Sequence, residues 1–287
     1  MRNAMTVDVE DYFQVSAFEP YISRDSWDAQ PCRVEGNVER ILALFSSHNV
    51  KATFFTLGWV AERYPEMVRQ IVAQGHEVAS HGYSHVRATE QTEKEFLADV
   101  TKTKTLLEDI SGVAVRGYRA ATFSVARTNL WVWDALEEAG YEYSSSLNPI
   151  WHDLYGIPDA PRFAFRPNAN ELVEVPITTL AFAGRNYPCG GGGFFRLLPF
   201  WYFQWAYRRV NMHDRMPALF YFHPWEIDPD QPRQKGLAAR AKFRHYTNLD
   251  KTAARIDKLL GKFTWARMDE IFLAPDFLTN VPNRTVV

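Results

Sequence analysis

The chain has 287 residues, of which 46% are hydrophobic and 23% charged, and its formal net charge is −2. That is apolar material for one large α/β core, or for a core with an appendage. The balanced charge leaves no broad basic surface for nucleic acid and no polybasic membrane anchor.

Residues 5–9 are short and apolar and read as a buried first strand. No apolar stretch of signal-peptide or membrane-span length precedes them, so a cytoplasmic location is the default expectation. Residues 12–35 are irregular. Asn37 suits the N-cap of a helix with Val38, Ile41, Leu42 and Phe45 on one face. Residues 51–57 read as a strand closed by Gly58. Pro65 opens a helix that Gly75 ends. Residues 77–80 are a strand, 93–110 a long helix, 115–118 a strand, 129–139 a helix and 141–145 another strand. The repeated strand–helix order predicts a parallel sheet or β/α barrel. Beyond Asn148 the pattern loosens. Strands are expected at 172–176, 178–182, 218–222 and 263–268, and helices at 198–210 and 247–260. Residues 190–193 form a four-glycine loop, and 231–245 read as an exposed polar stretch. Cys32 and Cys189 allow at most one bridge, and reduced thiols fit a cytosolic protein.

Asp8, His81, Arg119 and His223 each fall at the C-terminal end of a predicted strand, the rim where β/α barrels build their sites. His81 and His85 are four apart, so on one helical turn both imidazoles face one side and reach one metal ion. A carboxylate completes a two-histidine, one-carboxylate set with open positions, suited to metal-assisted hydrolysis. The acids at hand are in Asp8-Val9-Glu10-Asp11. Strand alternation puts Glu10 on the side of Asp8, whereas a turn after Val9 brings in Asp11 instead. Trp151, Tyr187, Phe194 and Trp225 are candidates for stacking on sugar faces, and the glycines at 190–193 for a flexible groove wall. Glu226 is a candidate partner for a site histidine.

Five separated blocks between Thr6 and Trp225 resemble the NodB-like polysaccharide deacetylases of carbohydrate esterase family four. They are Thr6-Val7-Asp8-Val9-Glu10-Asp11, Ser80-His81-Gly82-Tyr83-Ser84-His85, Tyr118-Arg119-Ala120-Ala121-Thr122-Phe123-Ser124, residues 134–147, and Phe220-Tyr221-Phe222-His223. Gly191-Gly192-Gly193-Phe194-Phe195-Arg196, His223-Pro224-Trp225-Glu226 and His245-Tyr246-Thr247-Asn248 resemble one subgroup. Its members carry a C-terminal extension and are associated with exopolysaccharide and exosortase gene clusters. The resemblance implies a distorted (β/α) barrel forming a single catalytic domain over 1–287, with a core over about 5–228 and the extension over about 229–287. It implies removal of N-acetyl groups from an oligo- or polysaccharide, with Zn²⁺ as the metal of first choice. Asp8 is the implied base, Arg119 its orienting partner and His223 the acid. His81, His85 and either Glu10 or Asp11 are the implied metal ligands. Thr122, Phe123, Trp225, Gly192 and Phe194 are the expected substrate-binding residues. The chain departs from the family pattern at Val9, where a second aspartate is usual, at Ala121 for proline and at Ser144 for aspartate. No nucleic acid and no membrane span are expected. Two other readings stand beside this one: an allantoinase-like amidohydrolase on the same fold, and a non-catalytic sugar-binding protein.

Overall fold

Five strands open the chain in the computed structural model, which describes residues 1–153, 155–167 and 170–286. They are β1 (Arg2–Val9), β2 (Thr53–Thr56), β3 (Glu77–Ser80), β4 (Gly117–Tyr118) and β5 (Tyr143–Ser144). Each runs parallel to the next, with Thr6 beside Thr53, Thr53 beside Glu77, Ser80 beside Tyr118 and Tyr118 beside Ser144. The strand Val173–Glu174 extends the sheet past β5, and Leu219–Phe222 borders β1 on its other side. Thr264–Ala266 also pairs with β1, so the end of the chain is built into the same sheet. The helices Val34–Ser47, Pro65–Ala73, Glu93–Ser111 and Val132–Glu138 lie in the connections that parallel strands require. The sheet curls into a half-barrel, and irregular chain spans the open side. There the Tyr221 N–H donates to the Gly190 carbonyl at 2.8 Å.

Side chains alternate along each strand. On β1, Met5, Val7 and Val9 join the large core beneath the helices. Ala4 joins a smaller inner core with Phe55, Ala79, Tyr143, Leu219 and Tyr221. Stepping two residues on along the inner face leads from Ala4 to Thr6 and Asp8, from Ala79 to His81, and from Tyr221 to His223. The polar residues on the rim are therefore continuations of the inner core.

Several local expectations change. The first long helix starts at Val34, one turn before Asn37, because its first N–H groups are capped from elsewhere. Asp11 Oδ2 accepts from the N–H groups of Arg33 at 2.6 Å and Val34 at 2.9 Å. Asn37 lies buried within the first turn and donates to Asp228. The hairpin Thr179–Phe182/Arg185–Pro188 and the helix Gly192–Leu197 occupy a stretch read as one strand and a loop. Among the glycines at 190–193, Gly193 lines a cleft while Gly191 is fixed by close packing. Gly191 has φ 131°, and a Cβ there would lie 2.0 Å from the Tyr221 carbonyl oxygen, so only glycine permits this approach. The 231–245 stretch is not wholly exposed, since the helix Ala239–Tyr246 buries His245. Cys32 and Cys189 are both free thiols. Among the described residues no helix is long and apolar enough to cross a membrane.

At the bottom of the inner core Glu77 accepts from Thr53 Oγ1 at 2.5 Å, Tyr143 OH at 2.9 Å and the Asp269 N–H at 3.2 Å. Burial first, and then the charge of Asp269, raise its pKa from 4.5 to about 7. A carboxyl that holds its proton more tightly when folded stabilises the fold below its unfolded pKa and loses that contribution as pH rises through the folded value. Glu77→Gln mimics the protonated form. Its stability deficit against the parent should shrink between about pH 5 and about pH 8, read as the difference in urea midpoints. A deficit that does not change with pH contradicts the burial argument.

Candidate active site

Arg119 follows β4 and is fully buried. It donates from Nη1 to Asp8 Oδ1 at 2.5 Å and to Thr6 Oγ1 at 2.8 Å. Its Nε reaches the Ser145 carbonyl at 3.2 Å and its Nη2 reaches Ser145 Oγ at 3.1 Å. The guanidinium lies 4.0 Å over the Phe55 ring. A buried charge needs such a set of partners, and here they hold Asp8 in one orientation. The other carboxylate oxygen, Asp8 Oδ2, is 3.9 Å from His223 Nε2.

His81 leaves β3, but residues 81–85 are a loop rather than a helical turn. Gly82 at φ 74° and His85 at φ 54° take left-handed conformations that break any helix. Backbone bonds of 2.9 Å tie Gly58 and Trp59 N–H to the Gly82 and Tyr83 carbonyls. Arg24 donates to the Ser84 and His85 carbonyls at 2.9 and 3.1 Å. Asp99 accepts from the Tyr83 N–H at 3.3 Å. So braced, the loop brings the two imidazoles to a centroid distance of 5.4 Å.

Glu10 completes the group. One ligand atom each from Glu10, His81 and His85 lie within 4.8 Å of one another, and all three residues are buried. His81 Nδ1 is 2.7 Å from the Arg119 carbonyl. A carbonyl only accepts, so Nδ1 carries the proton and Nε2 keeps its lone pair for a ligand. Burial lowers the His81 pKa to about 4, which leaves the ring neutral near pH 7. Glu10 Oε2 and His85 Nδ1 are buried without a hydrogen-bond partner, and His85 Nε2 is 2.9 Å from Glu10 Oε2. A neutral imidazole, a second imidazole and a carboxylate with one oxygen free of hydrogen bonds fit a divalent cation. Asp11 lies outside this group. It also accepts from the Tyr12 N–H at 2.8 Å, so its oxygens are taken up in capping two helical segments.

His223 leaves the strand Leu219–Phe222, and its Nδ1 is 3.1 Å from Glu226 Oε2, which also accepts the His223 N–H at 3.0 Å. Burial alone would depress His223. The charge of Glu10, the hydrogen bond and charge of Glu226 and the charge of Asp8 outweigh it, and the pKa rises to about 9. Glu226 Oε1 in turn accepts from Arg196 Nε at 2.7 Å. Arg196 is buried, and its other donors reach the carbonyls of Arg244, His245 and Thr247 at 2.8–2.9 Å, around the end of the helix Ala239–Tyr246. Trp225 is sandwiched between His223 and His245, with centroids 5.2 and 4.3 Å away, and donates from Nε1 to Glu10 Oε1 at 3.1 Å. Its faces are covered, so it supports the two histidines and Glu10 rather than offering a platform to a sugar. The sequence reading gave Arg196 no role. Its only signal was its place after the glycine run, three residues beyond Gly193.

A cleft of 780 Å³ opens over this cluster, lined among others by Thr122, Phe123, Phe194 and Trp225. Trp151, 82% exposed, stands in its wall. Tyr187 is on the hairpin and Gly192 is buried at a helix start, and neither lines the cleft. Thr122 has φ 56°, an unfavourable conformation for a β-branched residue, and its Oγ1 is 2.6 Å from Ser16 Oγ.

Residues 25–144 match the family model described as polysaccharide deacetylase, and residues 145–273 match a domain of unknown function, DUF3473. A peptidoglycan-N-acetylglucosamine deacetylase from Bacillus cereus is 39% identical over 80 residues, which are 28% of this chain and 29% of that protein. A peptidoglycan deacetylase from Helicobacter pylori is 34% identical over 114 residues, 39% of this chain and 38% of that protein. The chain thus spans less than two fifths of the length of these relatives. A crystal structure of a Mycobacterium smegmatis protein assigned to the polysaccharide deacetylases covers 100% of this chain and 94% of its own, at 20% identity and a TM-score of 0.64. That likeness concerns the fold alone.

Proposed function

We propose that the chain, whose residues 25–144 match the polysaccharide deacetylase model and whose residues 145–273 match DUF3473, is a metal-dependent hydrolase that removes acetyl groups from the N-acetylated sugars of a polysaccharide or its precursor. The observation that supports this most is one cleft holding the Glu10–His81–His85 donor set beside the arginine-held Asp8 and the Glu226-paired His223.

Bound at Glu10, His81 and His85, a divalent ion such as zinc supplies Lewis-acid polarisation of the acetamide carbonyl and acidification of a water. Asp8 takes the proton of the attacking water on Oδ2, while Arg119 holds Oδ1. The Thr122 N–H serves as an oxyanion donor in the cleft wall. His223 gives its Nε2 proton to the leaving nitrogen, and Glu226 holds the opposite edge of the ring. The C–N bond breaks, and acetate and a free amino sugar leave. Phe123, Phe194 and Trp151 offer apolar contact to the sugar rings.

Acetate release across a panel of N-acetylated chito-oligosaccharides and peptidoglycan fragments, with zinc restored after chelation, tests the reading. Release from at least one saccharide and no turnover of allantoin is the expected result. Turnover of allantoin alone would establish the small-molecule amidohydrolase. Saccharide binding without release of acetate would establish the non-catalytic sugar-binding protein.

A further inference from the structure

The near-neutral net charge hides a local asymmetry. Between residues 175 and 213 the sequence has no Asp or Glu, but it has Arg185, Arg196, Arg208 and Arg209. Arg196 is buried against Glu226. Arg185, Arg208 and Arg209 form no ion pair among the described residues. This stretch builds the hairpin Thr179–Phe182/Arg185–Pro188 and the helix Phe200–Arg209.

The helix buries Phe203, Ala206 and Tyr207. Its opposite face turns Trp201, Trp205 and Arg208 outward, and Met212 follows on the next turn. Trp201 is 65% exposed, Trp205 40% and Met212 77%. Ala183 and Gly184, at φ 49° and 73°, form the tight hairpin turn between the exposed Phe182 and Arg185. The Phe182 ring is 6.0 Å from that of Trp205, which joins the hairpin tip to the helix face. Lys258, on the neighbouring helix Leu249–Leu260, lies 4.9 Å over the Phe200 ring and adds a further cation. Of the acids on adjoining elements, Asp214 pairs with Arg162 and Asp257 with His48, while Asp250 lies in the first turn of the helix Leu249–Leu260, two turns before Lys258.

We propose that this face docks on an anionic lipid surface, with Phe182, Trp201, Trp205 and Met212 entering the headgroup boundary and Arg185, Arg208 and Lys258 meeting lipid phosphates. Large rings left in water are unfavourable, and indoles are suited to the membrane boundary. Arginine and lysine can lie along apolar surface while their heads reach phosphate. Each cation near an anionic bilayer adds to binding and is screened by salt. The charges set among these exposed apolar groups are cations, which complements an anionic bilayer. Attachment is peripheral, since no helix among the described residues is long and apolar enough to cross a bilayer. The same hairpin braces the cleft. Asn186 donates to the Pro149 and Pro158 carbonyls, which flank the segment carrying Trp151 and Tyr155.

The test is co-sedimentation of the full chain with phosphatidylcholine vesicles containing about 30% phosphatidylglycerol, against phosphatidylcholine alone. The parent should sediment with the anionic vesicles, stay in solution with the neutral ones and be released by salt. Trp201→Ser/Trp205→Ser and Arg185→Glu/Arg208→Glu should each reduce partitioning by about tenfold or more, with unchanged urea midpoints showing that they are folded. Failure of the parent to sediment at low salt overturns the proposal, as does sedimentation of either variant to the same extent as the parent. A parent dimer that the tryptophan variant splits, with no vesicle binding, identifies the face as a subunit interface and also overturns it.

Discussion

Asp8→Asn should leave the protein folded and reduce turnover by about 10²–10⁴-fold, whereas Asp8→Ala should destabilise it by about 1–3 kcal/mol more than Asn does. Asn keeps an oxygen that accepts the Arg119 Nη1 bond but gives up the carboxylate that takes the proton from water. Ala removes the partner altogether. Arg119 is fully buried, and its remaining bonds, to Thr6 and to Ser145, are to neutral groups. An unpaired charge at such a position has no water to turn to. Urea denaturation of both variants separates the two effects, and acetate release measures the first. Both variants remove the counter-charge of Arg119, so equal stability of the two would mean that the oxygen at position 8 is not what holds the Arg119 Nη1 donor.

His81→Ala should lose both bound metal and turnover, while His223→Ala should keep the metal and lose about 10²–10⁴ in turnover. His81 belongs to the donor cluster, and its tautomer is fixed by the Arg119 carbonyl. His223 lies beside that cluster, 3.7 Å from Glu10 Oε1, but its Nδ1 is held by Glu226, and its Nε2 is the proton donor of the proposed reaction. Elemental analysis of the purified variants reads the metal, and the acetate assay reads the rest. A His81→Ala protein with full metal content would sink the assignment of the cluster.

Much of this site was legible in the sequence because it follows the period of a strand. Asp8 and Glu10 lie two apart, His223 directly follows the apolar run 219–222, and His81 directly follows the short strand 77–80. The same alternation that fills the inner core with Ala4, Ala79 and Tyr221 carries the chain to the rim. The spacing of His81 and His85 was informative even though the helical turn it suggested is absent, since a loop with two left-handed residues reaches the same convergence. What escaped the reading depends on distant partners. Asp11 resembled a metal ligand until its bonds to Arg33 and Val34, 22 and 23 residues on, were seen. Asn37 resembled an N-cap because the true cap lies outside its neighbourhood. Gly191 is required by the Tyr221 backbone, thirty residues later in the sequence, and Arg196 by carbonyls in the 244–247 turn. No local pattern records such contacts.

The route from His223 through Glu226 to Arg196 bears on inheritance. His81, His85 and Arg119 lie in the segment matched as polysaccharide deacetylase, the His223 network lies in the DUF3473 segment, and Asp8 and Glu10 precede both. A gene fragment carrying any one of these segments would encode part of a reaction centre and no complete one. Recombination between relatives would have to move His223, Glu226 and Arg196 as a block, together with the 244–247 turn that neutralises the arginine's donors. In the proposed reaction, the segment matched as DUF3473 is then the one that supplies the acid.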